Sequence, residues 1–300
     1  MNKRLIAEAE LILMTMIWGT TFALVKEAVA VIPPILFCFG RFAIGSVCLF
    51  PLIYAKAQIR DKKVWLIGCL IGVCTFLGFA LQSVGLHYTT ASKSGFITGL
   101  AVAFVPLVGK IFFNKKLTAL NFLGLIICIA GLLLLTEIYH SFQGISINFG
   151  DMLTLIAALI FAFQILFIDR YASYDFLVIG FQECVVTAIL AVSYSFMFES
   201  FKFHLDGKRM IIILFLGLVA TAFTIPLQVK AQRYASAFHS ILIFSLEPVF
   251  AALFAYAYSG ERMTSVQIGG GVLMIIGVIA GSLDIIKKFT ISRNPTDEEL

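Results

Sequence analysis

Apolar stretches of nearly membrane-crossing length follow one another along this chain, and almost all charges fall in the gaps between them. The uncharged stretches are Leu11–Val25, Val64–Leu86, Ser94–Gly109, Leu117–Thr136, Met152–Ile168, Met210–Val229 and Met263–Leu283. Three more carry one charge each: Pro34–Tyr54 with Arg41, Phe176–Phe198 with Glu183, and Ser236–Tyr258 with Glu247. A helix of about 20 residues crosses about 30 Å of hydrocarbon, so the chain is expected to cross ten times. Lipid offers the backbone no hydrogen-bond partner, which leaves helices or a closed barrel. The runs are continuous rather than alternating, and that selects an all-α integral membrane protein. Composition excludes the other classes. Of 300 residues 60% are hydrophobic and 13% charged, where a soluble domain carries about 25% charged.

The basic residues set an expected orientation, since Lys and Arg favour cytoplasmic loops. With the N-terminus inside, fifteen of the 22 fall on the cytoplasmic side, among them Lys3, Arg4, Lys56, Arg60, Lys115, Lys230 and Arg233. Six fall outside: Lys26, Lys93, Lys202, Lys208, Arg209 and Arg262. Both termini are therefore expected in the cytoplasm, and the cytoplasmic membrane is the expected location. The net charge of +5 reads as topology and not as a nucleic-acid surface. Glu8 and Glu10 interrupt any signal-peptide apolar region, so the first span reads as a retained anchor. The six cysteines all lie inside expected spans and read as small packing residues.

The chain also repeats itself. Shifted by 146 residues, Tyr88–Leu135 lies on Tyr234–Gly281 without a gap, with identities at helical spacing from Tyr88/Tyr234 to Leu107/Leu253 and again at Gly124/Gly270 and Gly131/Gly277. Phe39-Gly40-Arg41-Phe42 lies loosely over Phe181-Gln182-Glu183-Cys184. Five spans per half is an odd number, so the second half enters from the opposite side and the repeats are inverted. Inverted halves rocking about a midplane site are a recurrent transporter architecture. The expected division is a first repeat over 1–136, a linker over 137–149, a second repeat over 150–286 and a cytoplasmic tail over 287–300. Leu11–Val25 and Met152–Ile168 are expected to be short helices, with breaks at Pro106 and Pro248. Gly68/Gly72, Gly95/Gly99 and Gly277/Gly281 read as close helix contacts.

Trp18-Gly19-Thr20-Thr21-Phe22 resembles the opening motif of EamA-domain proteins of the drug/metabolite transporter superfamily. Gly40-Arg41-Phe42, the run Ala91–Leu100 followed by Phe104-Val105-Pro106, Leu246-Glu247-Pro248-Val249-Phe250 and Gly260-Glu261-Arg262 are similar to further motifs of that family. The resemblance covers about residues 8–284. It implies ten helices in two five-helix EamA repeats, cytoplasmic termini, a central cavity and metabolite transport. The turn acid Glu261 departs from the first half, where Asn114-Lys115 stands.

Ionisable residues inside the bilayer are costly and normally face a cavity or a partner. Counting 1.5 Å per residue places Arg41 roughly 19 Å and Glu247 roughly 17 Å above the cytoplasmic boundary, and Glu183 at roughly 10–12 Å. Arg41 and Glu247 can thus bind a zwitterionic solute across a cavity, or lock the halves as a buried ion pair. Glu183 is a candidate proton carrier or a structural acid. Lys93 and His239 occupy equivalent positions near opposite faces, as anion-greeting groups or interfacial anchors. Trp18, Thr21, Tyr88, Phe96 and Tyr234 complete the candidate substrate or gating set. No HExxH, GxSxG or phosphate loop accompanies His87, His140, His204 and His239, so an enzyme is disfavoured and neither a cofactor nor a metal is expected. The function expected is export of a small polar metabolite, an amino acid or related solute, by alternating access, with protons as a candidate coupling ion. Import or exchange of nucleotide-like metabolites, a channel and a non-transporting scaffold are the alternatives.

Overall fold

The computed structural model describes residues 3–116, 118–136, 148–201, 205–259 and 264–291, with the side chains of 92, 255–259 and 282–291 left aside. The expected linker over 137–147, the tail beyond 291, the turn Gly260-Glu261-Arg262, His140 and His204 lie outside these residues. The described chain is helical: α1 (Lys3–Gly19), α2 (Thr21–Val29), α3 (Pro34–Ile53), α4 (Lys62–Tyr88), α5 (Ala91–Gly99), α6 (Ala101–Phe113), α7 (Ala119–Thr136), α8 (Phe149–Tyr171), α9 (Phe176–Phe198), α10 (Gly207–Gly217), α11 (Thr224–Gln232), α12 (Ala237–Phe244), α13 (Glu247–Ser259) and α14 (Ser265–Ile291). A π-helical turn over Leu218–Phe223 joins α10 to α11. Among the described residues nine helical segments are long and apolar enough to cross a membrane, and Ser265–Gly281 is a shorter tenth. Large apolar side chains such as Val47, Leu66 and Phe196, each 72% exposed, form the outer surface that lipid covers.

Two sequence expectations change. The first span is not short: it runs Lys3–Val29 and bends at Thr20, between α1 and α2. Its charges are tolerated because partners meet them. Glu10 pairs with Lys230, and Lys26 donates to the carbonyls of Leu86 at 2.5 Å and Thr89 at 2.8 Å. The sixth span likewise extends over Phe149–Tyr171. The fourth and ninth spans do break, but at neither Pro106 nor Pro248. Pro106 lies inside α6, and the break falls at Leu100; its equivalent in the ninth span is Ser245-Leu246, just before Pro248.

Glycine sets the closest packing. A Cβ on Gly131 would stand 2.7 Å from the Gly270 carbonyl and the Met274 N–H, and one on Gly277 would stand 2.8 Å from the Cys128 N–H. α7 and α14 therefore meet backbone to backbone. Residue numbers rise along one helix as they fall along the other, so the pair is antiparallel. Gly124/Gly270 and Gly131/Gly277 are equivalent in the repeat, and here they face each other crosswise. Two equivalent helices packed antiparallel place the axis relating the halves across the helices, in the membrane plane. That is the inverted arrangement. α3 and α9 form a second antiparallel pair, pinned at one end by Glu199, which accepts from the Ile35 and Leu36 N–H groups at 2.9 and 2.8 Å. Lys56 and Asp175 pin the other end at 2.5 Å. Gly68 and Gly72 seat Gln182 and Val186 of α9. Gly95 has nothing nearer than Phe22 at 3.9 Å, so the expected close contact at Gly95/Gly99 does not form there.

Gly131→Val forces side-chain atoms into the α14 backbone, and overpacking of this kind costs about 1–3 kcal/mol. Its melting temperature in detergent is expected to fall clearly below wild type. Gly269→Val, with nothing within 4 Å of the added Cβ, is the control and is expected to melt close to wild type. Equal melting of both variants would contradict the backbone contact.

Candidate functional site

Between the halves lies a cavity with about 710 Å³ of empty space, counting its open mouth. Its walls come in pairs related by the 146-residue offset: Phe79 and Ile225, Gln82 and Gln228, Thr98 and Phe244, Gly99 and Ser245. The cavity therefore sits on the axis relating the repeats. The offset continues upstream of Tyr88 without a gap, through Ile67/Ile213, Leu70/Leu216, Val73/Val219, Thr75/Thr221, Leu81/Leu227 and Gln82/Gln228. Both glutamines escaped sequence reasoning because they are uncharged; carrying the repeat comparison upstream would have exposed them.

The central cation is Arg41. Its Nε–H donates to Thr221 Oγ1 at 2.6 Å and its Nη2 to the Ala220 carbonyl at 2.8 Å. Phe79 and Phe42 lie 4.6 and 5.5 Å from the guanidinium carbon, at distances where a cation is attracted to a ring face. Two of its five donors are thus used by the protein. Both acceptors, Thr221 and Ala220, lie in the π-helical turn at 218–223.

Glu247 opens α13, immediately after the break in the ninth span, and it lines the same cavity. It is not locked to Arg41: the ion pairs among the described residues run elsewhere, and the Glu247 carboxylate makes no hydrogen bond there. No direct ion pair joins the two among the described residues. Arg41 finds its partners in Thr221 and Ala220, which leaves Glu247 unpaired at the cavity wall. Trp18 and Thr21 also line the cavity, with the indole N–H donating to Thr224 at 3.1 Å and the ring 5.3 Å from Phe244.

Glu183 stands behind the wall, fully buried. Its Oε1 accepts from Thr75 at 2.6 Å and from Gln164, a cavity residue, at 2.8 Å. The arrangement mirrors that of Arg41. Arg41 and Glu183 match in the repeat, and each bonds to the equivalent threonine of the opposite half.

Lys93 and His239 lie at opposite ends. Lys93 pairs with Asp151 at 3.0 Å, and Asp151 also accepts from Thr89 at 2.5 Å. His239 meets Glu8 at 3.1 Å, and Glu8 also pairs with Arg4. Each contact ties the start of a broken span to the start of the first span of the opposite half. Three candidates move away from the cavity. Tyr88 and Tyr234 are exposed at helix ends, where amphipathic rings sit at a membrane interface; Tyr88 meets Phe149 edge to face with ring centroids 5.6 Å apart. Phe96 is buried with Leu132, Leu246 and Met274.

The two ends of the cavity differ. Phe79, Gln82, Thr98 and Gly99 are partly exposed, whereas their equivalents Ile225, Gln228, Phe244 and Ser245 are buried. The cavity communicates with the face that carries Lys93 and is closed towards the face that carries His239.

The EamA-like transporter family model matches residues 6–137 and again 148–282. The chain belongs to that family. It is a transporter, and relatives in Archaeoglobus fulgidus and Bacillus subtilis are named as transporters. A protein of Archaeoglobus fulgidus described as an uncharacterized transporter is 33% identical over 285 residues, covering 94% of this chain and 88% of its own. A Salmonella typhimurium protein described as a "Probable amino-acid metabolite efflux pump" is 23% identical, covering 89% and 91%. A crystal structure with 17% identity superposes with a TM-score of 0.77 over 93% of this chain and 98% of the other, which shows a shared fold.

In a variant with its six cysteines replaced, Gln82→Cys is expected to react readily with a water-soluble thiol reagent and Gln228→Cys to react about tenfold more slowly, equivalent to about 1.4 kcal/mol of protection. Adding Glu8→Gln, which removes the carboxylate facing His239, is expected to speed labelling at 228. Equal rates at 82 and 228 would contradict a one-sided cavity.

Proposed function

We propose that this transporter moves a zwitterionic metabolite with an apolar portion, an amino acid or close relative, by alternating exposure of the central cavity. The observation carrying this reading is a held guanidinium and an unpaired carboxylate on one cavity whose remaining walls include Trp18, Phe79, Phe161 and Phe244. Arg41 supplies charge-assisted donors to a carboxylate, and Glu247 accepts from an ammonium group. The aromatic walls receive the side chain and exclude water, which strengthens both polar contacts. The efflux description of the Salmonella relative supports export.

The distribution of Lys and Arg supports a cytoplasmic His239 face, both termini inside, and insertion in the cytoplasmic membrane. In that frame the cavity opens outward, and the Glu8–His239 contact belongs to the closed cytoplasmic end. Each five-helix repeat then acts as one rocking unit, the first over 1–136 and the second over 150–286. Rocking exchanges the open and closed ends because the two halves are equivalent but inverted.

Hydrogen bonds to charged groups contribute about 1.5–3 kcal/mol. Arg41→Gln and Glu247→Gln are therefore each expected to weaken apparent affinity by about tenfold or more. The measurement is counterflow of labelled amino acids into preloaded proteoliposomes, with each variant present at wild-type abundance. Wild-type rates in both variants would sink the zwitterion reading.

A further inference from the structure

We infer that Glu183 is a proton-binding site whose access to water alternates with that of Arg41, which makes transport proton-coupled. The inference rests on the transport reading above and adds a second ligand, the proton, at a position outside the cavity wall.

Three observations carry it. First, Glu183 is fully buried and its second carboxylate oxygen, Oε2, has no hydrogen-bond partner. Thr75 and Gln164 both serve Oε1. No lysine, arginine or histidine pairs with Glu183 among the described residues. A buried carboxylate left half-solvated and without a cation is strongly unfavourable in its charged form, whereas a carboxylic acid with its proton on Oε2 carries no charge. Second, the site is one side chain from the cavity: Gln164 lines the cavity and donates to Glu183. Its other neighbour, Thr75, holds the same place that Thr221 holds beside Arg41. Third, the repeats are inverted. When inverted halves exchange conformations, each residue takes the surroundings its equivalent had before. Arg41 lines the cavity now, and Glu183, its counterpart, stands behind it. In the opposite-facing state Glu183 comes to the wall and Arg41 withdraws.

Glu183 therefore takes up one proton as it leaves the wall and releases it when it returns to water, with no other bond made or broken. The side chains facing it are few. α4 presents Thr75 and Cys74, α8 presents Gln164, and α9 presents the neighbouring Cys184. The charge on α3, Arg41, is engaged by Thr221 and the Ala220 carbonyl. A proton on Glu183 is thus not duplicated by a nearby acid of the described helices, and Glu247 stands apart on the opposite half of the site.

Two measurements test this. Proteoliposomes loaded with a trapped pH-sensitive dye are given a mixture of neutral amino acids, and counterflow of the same labelled compounds is run alongside. Wild type is expected to shift the lumenal pH as solute moves. In Glu183→Gln that shift is lost, and the counterflow that remains no longer responds to pH. A static lumenal pH in wild type during demonstrable counterflow overturns the proposal, as does a Glu183→Gln protein that still moves protons. Absence of any counterflow counts against the amino-acid reading alone, and the second measurement then decides on Glu183 without a solute. Wild-type protein in proteoliposomes is treated with dicyclohexylcarbodiimide, which attacks protonated carboxyls, and the modified peptides are mapped by mass spectrometry. Labelling of Glu183 that declines as pH rises is the expected result. Labelling of Glu247 with none at Glu183 at any pH overturns the proposal.

Discussion

The antiparallel contact of α7 with α14 fixes the relation between the halves. Four glycines, two from each repeat, let the backbones approach until carbonyl and N–H groups of one helix lie where a Cβ of the other would be. Without a hydrophobic drive between helices in lipid, such close van der Waals contact is what holds them together. Equivalent residues meet across this seam, so the axis of the repeat passes through it. The cavity lies on the same axis, between helices free of the seam, and its walls therefore come in equivalent pairs. A site with matched walls facing opposite ends follows from the way two identical kinds of helix pack.

On this symmetric frame the chemistry is not symmetric. The matching positions on α3 and α9 hold a cation and an acid, Arg41 and Glu183, each tied to a threonine of the other half. Glu247 has alanine, Ala101, as its equivalent. The repeat supplies matched walls at both ends of the cavity, and departures from the repeat place the charges beside them. The same holds at the ends, where Lys93 with Asp151 and His239 with Glu8 fill corresponding places with different side chains.

Much of this was legible in the sequence, for definite physical reasons. Lipid tolerates so few backbone arrangements that apolar run length alone sets the element type and narrows the number of spans. Charges within those runs stand out by their cost in lipid, and Arg41 and Glu247 both line the cavity. The extent of the first span was misjudged because Glu8, Glu10 and Lys26 look like boundaries until their partners on distant helices are known. Tyr88 and Tyr234 stood out by identity, yet an identity between repeats is equally produced by equivalent positions at opposite membrane faces. Phe96 shows that spacing along one helix cannot distinguish a cavity wall from a seam between four helices. Gln82, Gln228 and Gln164 were invisible because an amide carries no charge signal and gains its meaning from where the second helix places its neighbour.

The π-helical turn at 218–223 has no counterpart in the first half, where α4 runs regularly past Thr75. The wide turn is thus an asymmetric part in a frame of equivalent halves. Its Ala220 carbonyl accepts from both Arg41 Nη2 and the Thr224 hydroxyl, and its Thr221 hydroxyl accepts from Arg41 Nε. A single irregular turn, carried by one repeat alone, thus aims the cation that the other repeat supplies.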